Sequence, residues 1–188
     1  MENKNIDIEL YIKNIIRMFE ARKYTDIKEY IDNDHYNRHT ITATNKFGKK
    51  IMARIILDSK LHIGVVKECI TVFTSNNVSK GIIVHYGIPT SSGKNLIMNV
   101  DKTDQIKISM MDLNIFSNCP LDHKYYFPHI KLKKEEVTEF KKYFDLTKIK
   151  IPIIFMADPI SKFFDFKSGD IIKIKRGDMI SYRLVKNR

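Results

Sequence analysis

The chain has 188 residues, a formal net charge of +11, 43% hydrophobic and 29% charged residues, a balance that marks a globular protein rather than a disordered polyelectrolyte. No apolar run reaches the roughly 20 residues that span a bilayer, and the polar start MENKNIDIEL predicts no signal peptide. Cys69 and Cys119 stand far apart without Cys or His at ligand spacing, which argues against a zinc finger and predicts a reducing compartment, with Cys69 as a small core residue.

In chain order, Ile12, Ile15, Ile16 and Phe19 recur at i, i+3, i+4 and i+7, which predicts a helix over 6–22 with Lys13, Arg17 and Glu20 on its solvated side. Thr25 or Asp26 then predicts the cap of a second short helix running through Ile31. His39–Thr44 alternates β-branched residues and Ile51–Leu57 is more apolar, so the intervening Asn45–Lys50, with Gly48, predicts a hairpin. Gly64–Ser75 returns to helical spacing, with Val66, Cys69, Ile70 and Phe73 on one face, and Asn76-Asn77 ends it. Lys80–Tyr86 (KGIIVHY) reads as a central strand buried on both faces, followed by a loop over Gly87–Gly93 and a helix from Lys94. Ile106–Met110 alternates and Asp112–Ser117 is a mixed apolar segment. Strand, helix, strand, loop and helix predict an open α/β sheet for this part.

The composition changes at Asn118–Pro128, a stretch bracketed by prolines, which places a domain boundary between residues 122 and 123. Lys133–Phe144 predicts a charged helix with Val137, Phe140 and Phe144 on its buried side, and Pro152 makes Ile151–Met156 extended. The final stretch, Asp158–Val185, opens with a helical turn at Asp158-Pro159 that buries Ile160, Phe163 and Phe164. Gly169 turns the chain into two alternating strands, Ile171–Lys175 and Met179–Val185, joined tightly at Arg176-Gly177-Asp178.

Charge is uneven: residues 1–123 hold 17 Lys and Arg against 14 Asp and Glu, and residues 124–188 hold 16 against 8. Such an excess points to an anionic partner, whether nucleic acid, an acidic protein surface or anionic lipid. The loop Gly87-Ile88-Pro89-Thr90-Ser91-Ser92-Gly93-Lys94-Asn95 follows a strand and precedes a helix, the setting of a phosphate-binding P-loop. Five residues separate its glycines where the motif needs four, and Asn95 stands where a Mg²⁺-binding hydroxyl belongs, which argues against an NTPase. Its hydroxyls and Lys94 suit contact with a nucleic-acid backbone. Asp58-Ser59-Lys60 is the nearest thing to a nuclease cluster and reads more simply as a turn. His35, His39, His62, His85, His123 and His129 are scattered, so no metal ligand, cofactor or catalytic residue is assigned. Lys131, Lys133, Lys134, Lys141 and Lys142 interleave with Glu135, Glu136 and Glu139, the pattern of a solvated helix face.

The second half carries a specific resemblance. Phe127-Pro128-His129-Ile130-Lys131-Leu132, then Lys134-Glu135-Glu136, Asp158-Pro159, Phe163-Phe164, Lys167, Gly169, Ile171-Ile172-Lys173-Ile174 and Ile180-Ser181-Tyr182-Arg183-Leu184-Val185 resemble the C-terminal domain of RNA polymerase subunit 5. That subunit is shared by the three eukaryotic nuclear polymerases and has a short archaeal counterpart that corresponds to its C-terminal part. Upstream, the first helix with Tyr24, the helix from Gly64, the strand Gly81–His85 and the Pro89–Ser92 loop resemble its eukaryotic-type jaw domain. The resemblance implies an α/β fold, with an N-terminal open α/β jaw domain (1–122) and a small C-terminal α+β assembly domain (123–188). It implies a non-catalytic subunit of a multisubunit DNA-directed RNA polymerase, with the jaw beside downstream duplex DNA and the assembly domain on the largest subunit, without cofactor, metal or membrane. Pro89, Thr90, Ser91 and Ser92 match the family's Thr-Pro-Ser-Ala-type loop near DNA, in the order Pro-Thr here, and the residues themselves add Lys94. His129, Asp158, Pro159, Gly169, Arg176, Tyr182 and Arg183 are the expected subunit interface.

A Pro-Ser-Glu-Thr-Ala-like segment usual in the family between the positions of Arg176 and Gly177 is missing, so the hairpin is tight. That trimming and the abundance of Ile, Lys and Asn, typical of an AT-rich genome, fit a large DNA virus or a divergent protist. The expected location is the nucleus if cellular, the virion or a cytoplasmic viral factory if viral. The readings from other classes are a stand-alone nucleic-acid-binding regulator and a free DNA-processing enzyme using Lys94 or Asp58.

Overall fold

A computed structural model of the chain describes residues 7–31, 38–101, 106–144 and 151–187. Ile6, the expected start of the first helix, and His35 lie outside the described residues. The chain divides into two compact units, Met1–Cys119 and Pro120–Arg188. Both combine helices with a mixed sheet.

The first unit begins with α1 (Ile8–Ala21), capped where the Asp7 carboxylate accepts from the Leu10 N–H at 3.1 Å. Its apolar stripe buries Ile12, Ile15, Met18 and Phe19. Next comes β1 (Tyr24–Ile31), antiparallel to β2 (His39–Asn45) from Tyr24↔Asn45 to Ile31↔His39. This corrects the short helix expected from Thr25 or Asp26. So short a helix forms poorly alone, whereas Tyr24, Thr25, Ile27, Tyr30 and Ile31 favour a strand and β2 pairs its backbone. Asp26 does not cap anything: it takes φ 49° in the bulge between Thr25 and Lys28. The hairpin from β2 to β3 (Lys50–Ile56) is closed by the Asn45 side chain, which accepts from Phe47 N–H at 2.9 Å and Lys49 N–H at 3.0 Å.

After β4 (Lys60–Leu61), helix α2 (Ile63–Ser75) returns the chain to β5 (Lys80–His85), which lies parallel to β3. Then β6 (Ile88–Pro89) pairs with β4, and α3 (Ser91–Asp101) leads to β7 (Lys107–Asp112), parallel to β5. The five-stranded sheet runs β1-β2-β3-β5-β7. Strand β5 thus has a parallel neighbour on each side. Met52, Ile56, Ile83 and Ile108 bury one face of the sheet against Val66, Cys69 and Phe73 of α2 and Ile97 of α3. Ile51, Ala53 and Ile55 alternate to the other face, where α1 packs on β1, β2 and the 3₁₀ turn Leu113–Phe116. Two expectations for the loop after β5 are corrected: it contains β6, and α3 starts at Ser91 rather than Lys94.

The second unit holds β8 (His129–Lys131), α4 (Lys134–Tyr143), β9 (Ile153–Phe155), α5 (Pro159–Phe164), β10 (Ile171–Arg176) and β11 (Met179–Lys186). Its sheet runs β8-β10-β11-β9, with β9 parallel to β11 and the other pairs antiparallel. One face carries α4, where Leu132, Phe140 and Ile171 are buried. The other carries α5, with Ile154, Phe166, Ile172, Ile174 and Val185. Phe144 departs from the expected buried side: it stacks on Phe140 at 4.6 Å yet remains 38% exposed, as the residue that ends α4. Asp158 caps α5 by accepting from Ile160 N–H at 2.8 Å, and Pro159 fills the first helical position. Gly177, at φ 56°, turns β10 into β11 in two residues, the first central position of a type II′ turn. None of the described helices is long and apolar enough to cross a membrane.

Candidate functional sites

In the first unit the expected phosphate-contact residues gather at the C-terminal ends of the parallel strands. Thr90 is turned inward: its hydroxyl accepts from Gly93 N–H at 3.3 Å and donates to the Leu61 carbonyl at 3.2 Å, capping α3. Ser91, Ser92 and Lys94 lie exposed on the first turn of α3, beside half-buried Pro89. Gly93 is helical, with Val66 Cγ2 at 3.2 Å from the place of a Cβ, so the two glycines do not frame an open loop. Gly87 lies against the neighbouring backbone, where a Cβ would stand 2.3 Å from both the Asp58 carbonyl oxygen and the Ser59 carbonyl carbon. His85, buried beside it, has Nδ1 2.8 Å from the Gly87 carbonyl oxygen.

A charged cluster missed by reading the sequence lies under α2. Arg54, in the otherwise apolar β3, and Arg38 are both buried. Their Nη1 groups converge on Glu68 Oε1, with Arg54 at 3.1 Å, and Arg38 also faces Asp58 at 3.7 Å. Burial pushes the adjacent Cys69 thiol up to about 11, against the pull of Arg54 and Arg38. The available signal was the lone arginine inside IMARIIL. Asp58, the carboxylate of the candidate nuclease turn, is an ion-pair partner. Among the described residues no group of three or more His, Cys, Asp or Glu could hold a metal ion.

In the second unit, the strand register sorts the expected interface residues by face. His129 pairs with Ile174, Arg183 with Ile172, and Arg176 continues the same alternation, so all three share the α5 face. His129 Nδ1 approaches the Phe127 carbonyl oxygen at 2.6 Å, Tyr126 stacks on the His129 ring at 5.8 Å, and the Arg176 guanidinium lies 5.3 Å over the Phe127 ring. Burial holds the His129 imidazole below its ordinary value; the Phe127 carbonyl pulls it up, Arg183 down, Asp158 up and Arg176 down. Asp158 thus belongs to this cluster, with Pro159 exposed beside it. Tyr182 does not: it points to the α4 face, its ring 4.6 Å from Phe140 and 6.1 Å from Phe144. Gly169 serves the fold, donating its N–H to the Val185 carbonyl at 2.9 Å. Phe127 and Tyr126 are parts of the cluster not singled out as site residues in advance; their signal was the aromatic run before His129.

A family model described as RNA polymerase Rpb5, C-terminal domain, matches residues 119–186. The DNA-directed RNA polymerase subunit Rpo5 of Archaeoglobus fulgidus is 41% identical over 69 residues, which cover 34% of this chain and 91% of that protein. A protein of Invertebrate iridescent virus 6 bearing the name of a DNA-directed RNA polymerase subunit, 454R, is 36% identical over 103 residues, 47% of this chain and 55% of that one. Subunit RPABC1 of DNA-directed RNA polymerases I, II and III from Caenorhabditis elegans is 26% identical over 133 residues, 68% of this chain. The chain spans 62% of the length of that nematode relative.

Proposed function

The chain belongs to the RNA polymerase Rpb5 family, and on that premise we propose that it is a non-catalytic subunit of a multisubunit DNA-directed RNA polymerase. The observation that carries this reading is the C-terminal unit: the family match covers residues 119–186, and within it His129, Asp158, Arg176 and Arg183 form one cationic, aromatic-backed cluster. Such a cluster suits an acidic patch of a large partner, and we assign it to docking on the largest subunit, with Pro159 and Gly169 holding its α5 side. Charge complementarity across an interface sets encounter rate and register more than raw affinity.

The first unit acts as a jaw beside downstream duplex DNA. Its contribution is positional: it extends one wall of the cleft and supplies phosphate contacts independent of sequence. Ser91, Ser92 and Lys94 are the outward contacts, while Pro89 and Thr90 hold the turn that presents them. The compartment is that of the polymerase served: the nucleus in a cell, the virion or a cytoplasmic factory for a large DNA virus.

Tagged protein recovered from its source should bring down two very large chains in stoichiometric amount, and Arg176→Glu with Arg183→Glu should release them. Metal-dependent nuclease or NTPase turnover by the isolated chain, lost on Asp58→Ala or Lys94→Ala, would overturn the subunit reading in favour of a DNA-processing enzyme. Sequence-independent DNA binding by the isolated chain without any large partner would favour a stand-alone regulator.

A further inference from the structure

We propose that the face of the C-terminal sheet opposite His129 and Arg183 is a second docking surface, shaped for an acidic protein segment that carries bulky apolar side chains. It goes beyond the subunit role, and rests on it only for the assignment of the other face. Directly paired residues share a side of a sheet. Ile130, Lys173 and Tyr182 therefore form one row across three strands, and Lys175 and Ile180 form the next. Helix α4 covers one end of this face, where Ile171 and Leu132 are buried with Phe140. Toward the hairpin turn from it, Ile130 and Ile180 are each 50% exposed; at the other end, on the β9 edge opposite Leu184 and Lys186, Ile153 and Phe155 are exposed on the same side. The end nearer the hairpin turn thus sets Lys173 and Lys175 among the exposed aliphatic side chains of Ile130 and Ile180.

The chemistry selects the occupant. Nucleic acid is held on sheets by stacking its bases on aromatic rings; Ile130 and Ile180 have none, the Tyr182 ring is packed against Phe140 and Phe144, and Phe155 lies at the β9 edge opposite Lys186, away from the two lysines. A second copy seated on this face would bring Lys173 and Lys175 of both copies into one interface, and like charges brought together oppose association. An acidic segment with apolar side chains answers both features: carboxylates meet the lysines and bulky side chains cover the isoleucines, as in the apolar centre and polar rim of protein interfaces.

The test uses the full chain and a short fluorescent peptide in which Glu alternates with Leu and Phe. Anisotropy should show saturable binding, weakened about tenfold or more by Ile180→Glu and by the Lys173→Glu, Lys175→Glu pair, and unchanged by Lys46→Ala in the other unit. The lysine pair keeps the test valid if Ile180→Glu perturbs folding, which circular dichroism reports. The proposal fails if no saturable binding is found, or if a peptide of Glu alone binds equally well. It fails in favour of nucleic acid if oligo-dT displaces the peptide, and in favour of a second copy if sedimentation shows self-association that Ile180→Glu abolishes. None of these outcomes depends on recovery of a polymerase.

Discussion

Replacing Glu68 by Gln should destabilise the N-terminal unit far more than an ordinary surface change. The Arg54 and Arg38 side chains are 1% and 3% exposed, and their Nη1 groups share the Glu68 Oε1 atom. Neutralising that oxygen takes the shared Glu68 charge away from two interior guanidiniums. Breaking a buried ion pair in this way costs roughly 3–5 kcal/mol. Two features of the site pull the figure down. Glu68 is itself 42% exposed, so water reaches the altered end, and Asp58 still faces Arg38 at 3.7 Å. The expected loss is therefore about 3 kcal/mol, a sizeable part of the ~5–15 kcal/mol that holds a domain folded. With a urea dependence of about 2 kcal/mol per molar, the midpoint of the first unit should fall by about 1.5 M. Urea denaturation monitored by hydrogen exchange of the α2 amides reads that unit directly. Gln is the sharper probe because it keeps the shape and one acceptor while removing charge. A midpoint within about 0.3 M of the parent would refute the reasoning, since the guanidiniums would then be compensated without Glu68.

Gly87→Ala should lower stability by about 2 kcal/mol or more, because its Cβ meets the backbone of Asp58 and Ser59 at 2.3 Å and backbone cannot rotate away; thermal denaturation would show it, and a Tm unchanged within error would count against the packing described. For His129, whose folded value is depressed mainly by burial, the unfolded chain takes up the proton first as pH falls. Its contribution to stability is thus complete above the ordinary value near 6.5 and is lost as pH drops toward the folded value, so the urea midpoint of the C-terminal unit should fall on acidification and His129→Gln should flatten the fall. Cys69, buried and pushed up to about 11, should resist iodoacetamide in the native chain at mildly alkaline pH and react only after denaturation; rapid native labelling would show that the helix opens. Tyr182→Ala should cost about 3 kcal/mol in the C-terminal unit through loss of its packing on Phe140 and Phe144, as read by equilibrium denaturation.

What could be read from the residues follows a physical line. Elements whose periodicity reports burial were legible: the stripe Ile12, Ile15, Phe19, the helix through Val66, Cys69 and Phe73, and the continuous apolar run of β5 all name their own core faces. The edge strand β1 was not, because an edge strand buries little and its Thr25 and Asp26 also fit a helix cap. Its identity is decided by β2, which no local window contains. The start of α3 was misplaced for a related reason: Ser91 begins the helix because Thr90 caps Gly93 while bonding Leu61, a partner 29 residues away. At the candidate interface, motif residues were nameable but their sides were not. Only the register separates Tyr182 from its neighbour Arg183, sending one to the Phe140 cluster and the other to the His129 cluster.

The excess positive charge lies in the unit assigned to protein contact rather than in the unit assigned to DNA. On α4 the lysines interleave with Glu135, Glu136 and Glu139, and elsewhere Lys131 pairs with Asp170 and Lys167 with Asp165, each at 2.7 Å. Such pairs add little to stability, and with 8 carboxylates against 16 cations in residues 124–188 half of the cations stay unmatched. Lys173, Lys175, Arg176 and Arg183 belong to the single hairpin of β10 and β11, and strand alternation sends the lysines to one face and the arginines to the other. A loop inserted at Gly177 would leave that alternation intact, because both strands keep their own phase, but it would set a flexible polar segment beside Arg176. Closing the hairpin in two residues instead holds both pairs of cations on rigid, hydrogen-bonded backbone up to the turn itself. A rigid cation loses less freedom on pairing than one on a loop, so a partner that meets this hairpin with carboxylates gains more from each contact.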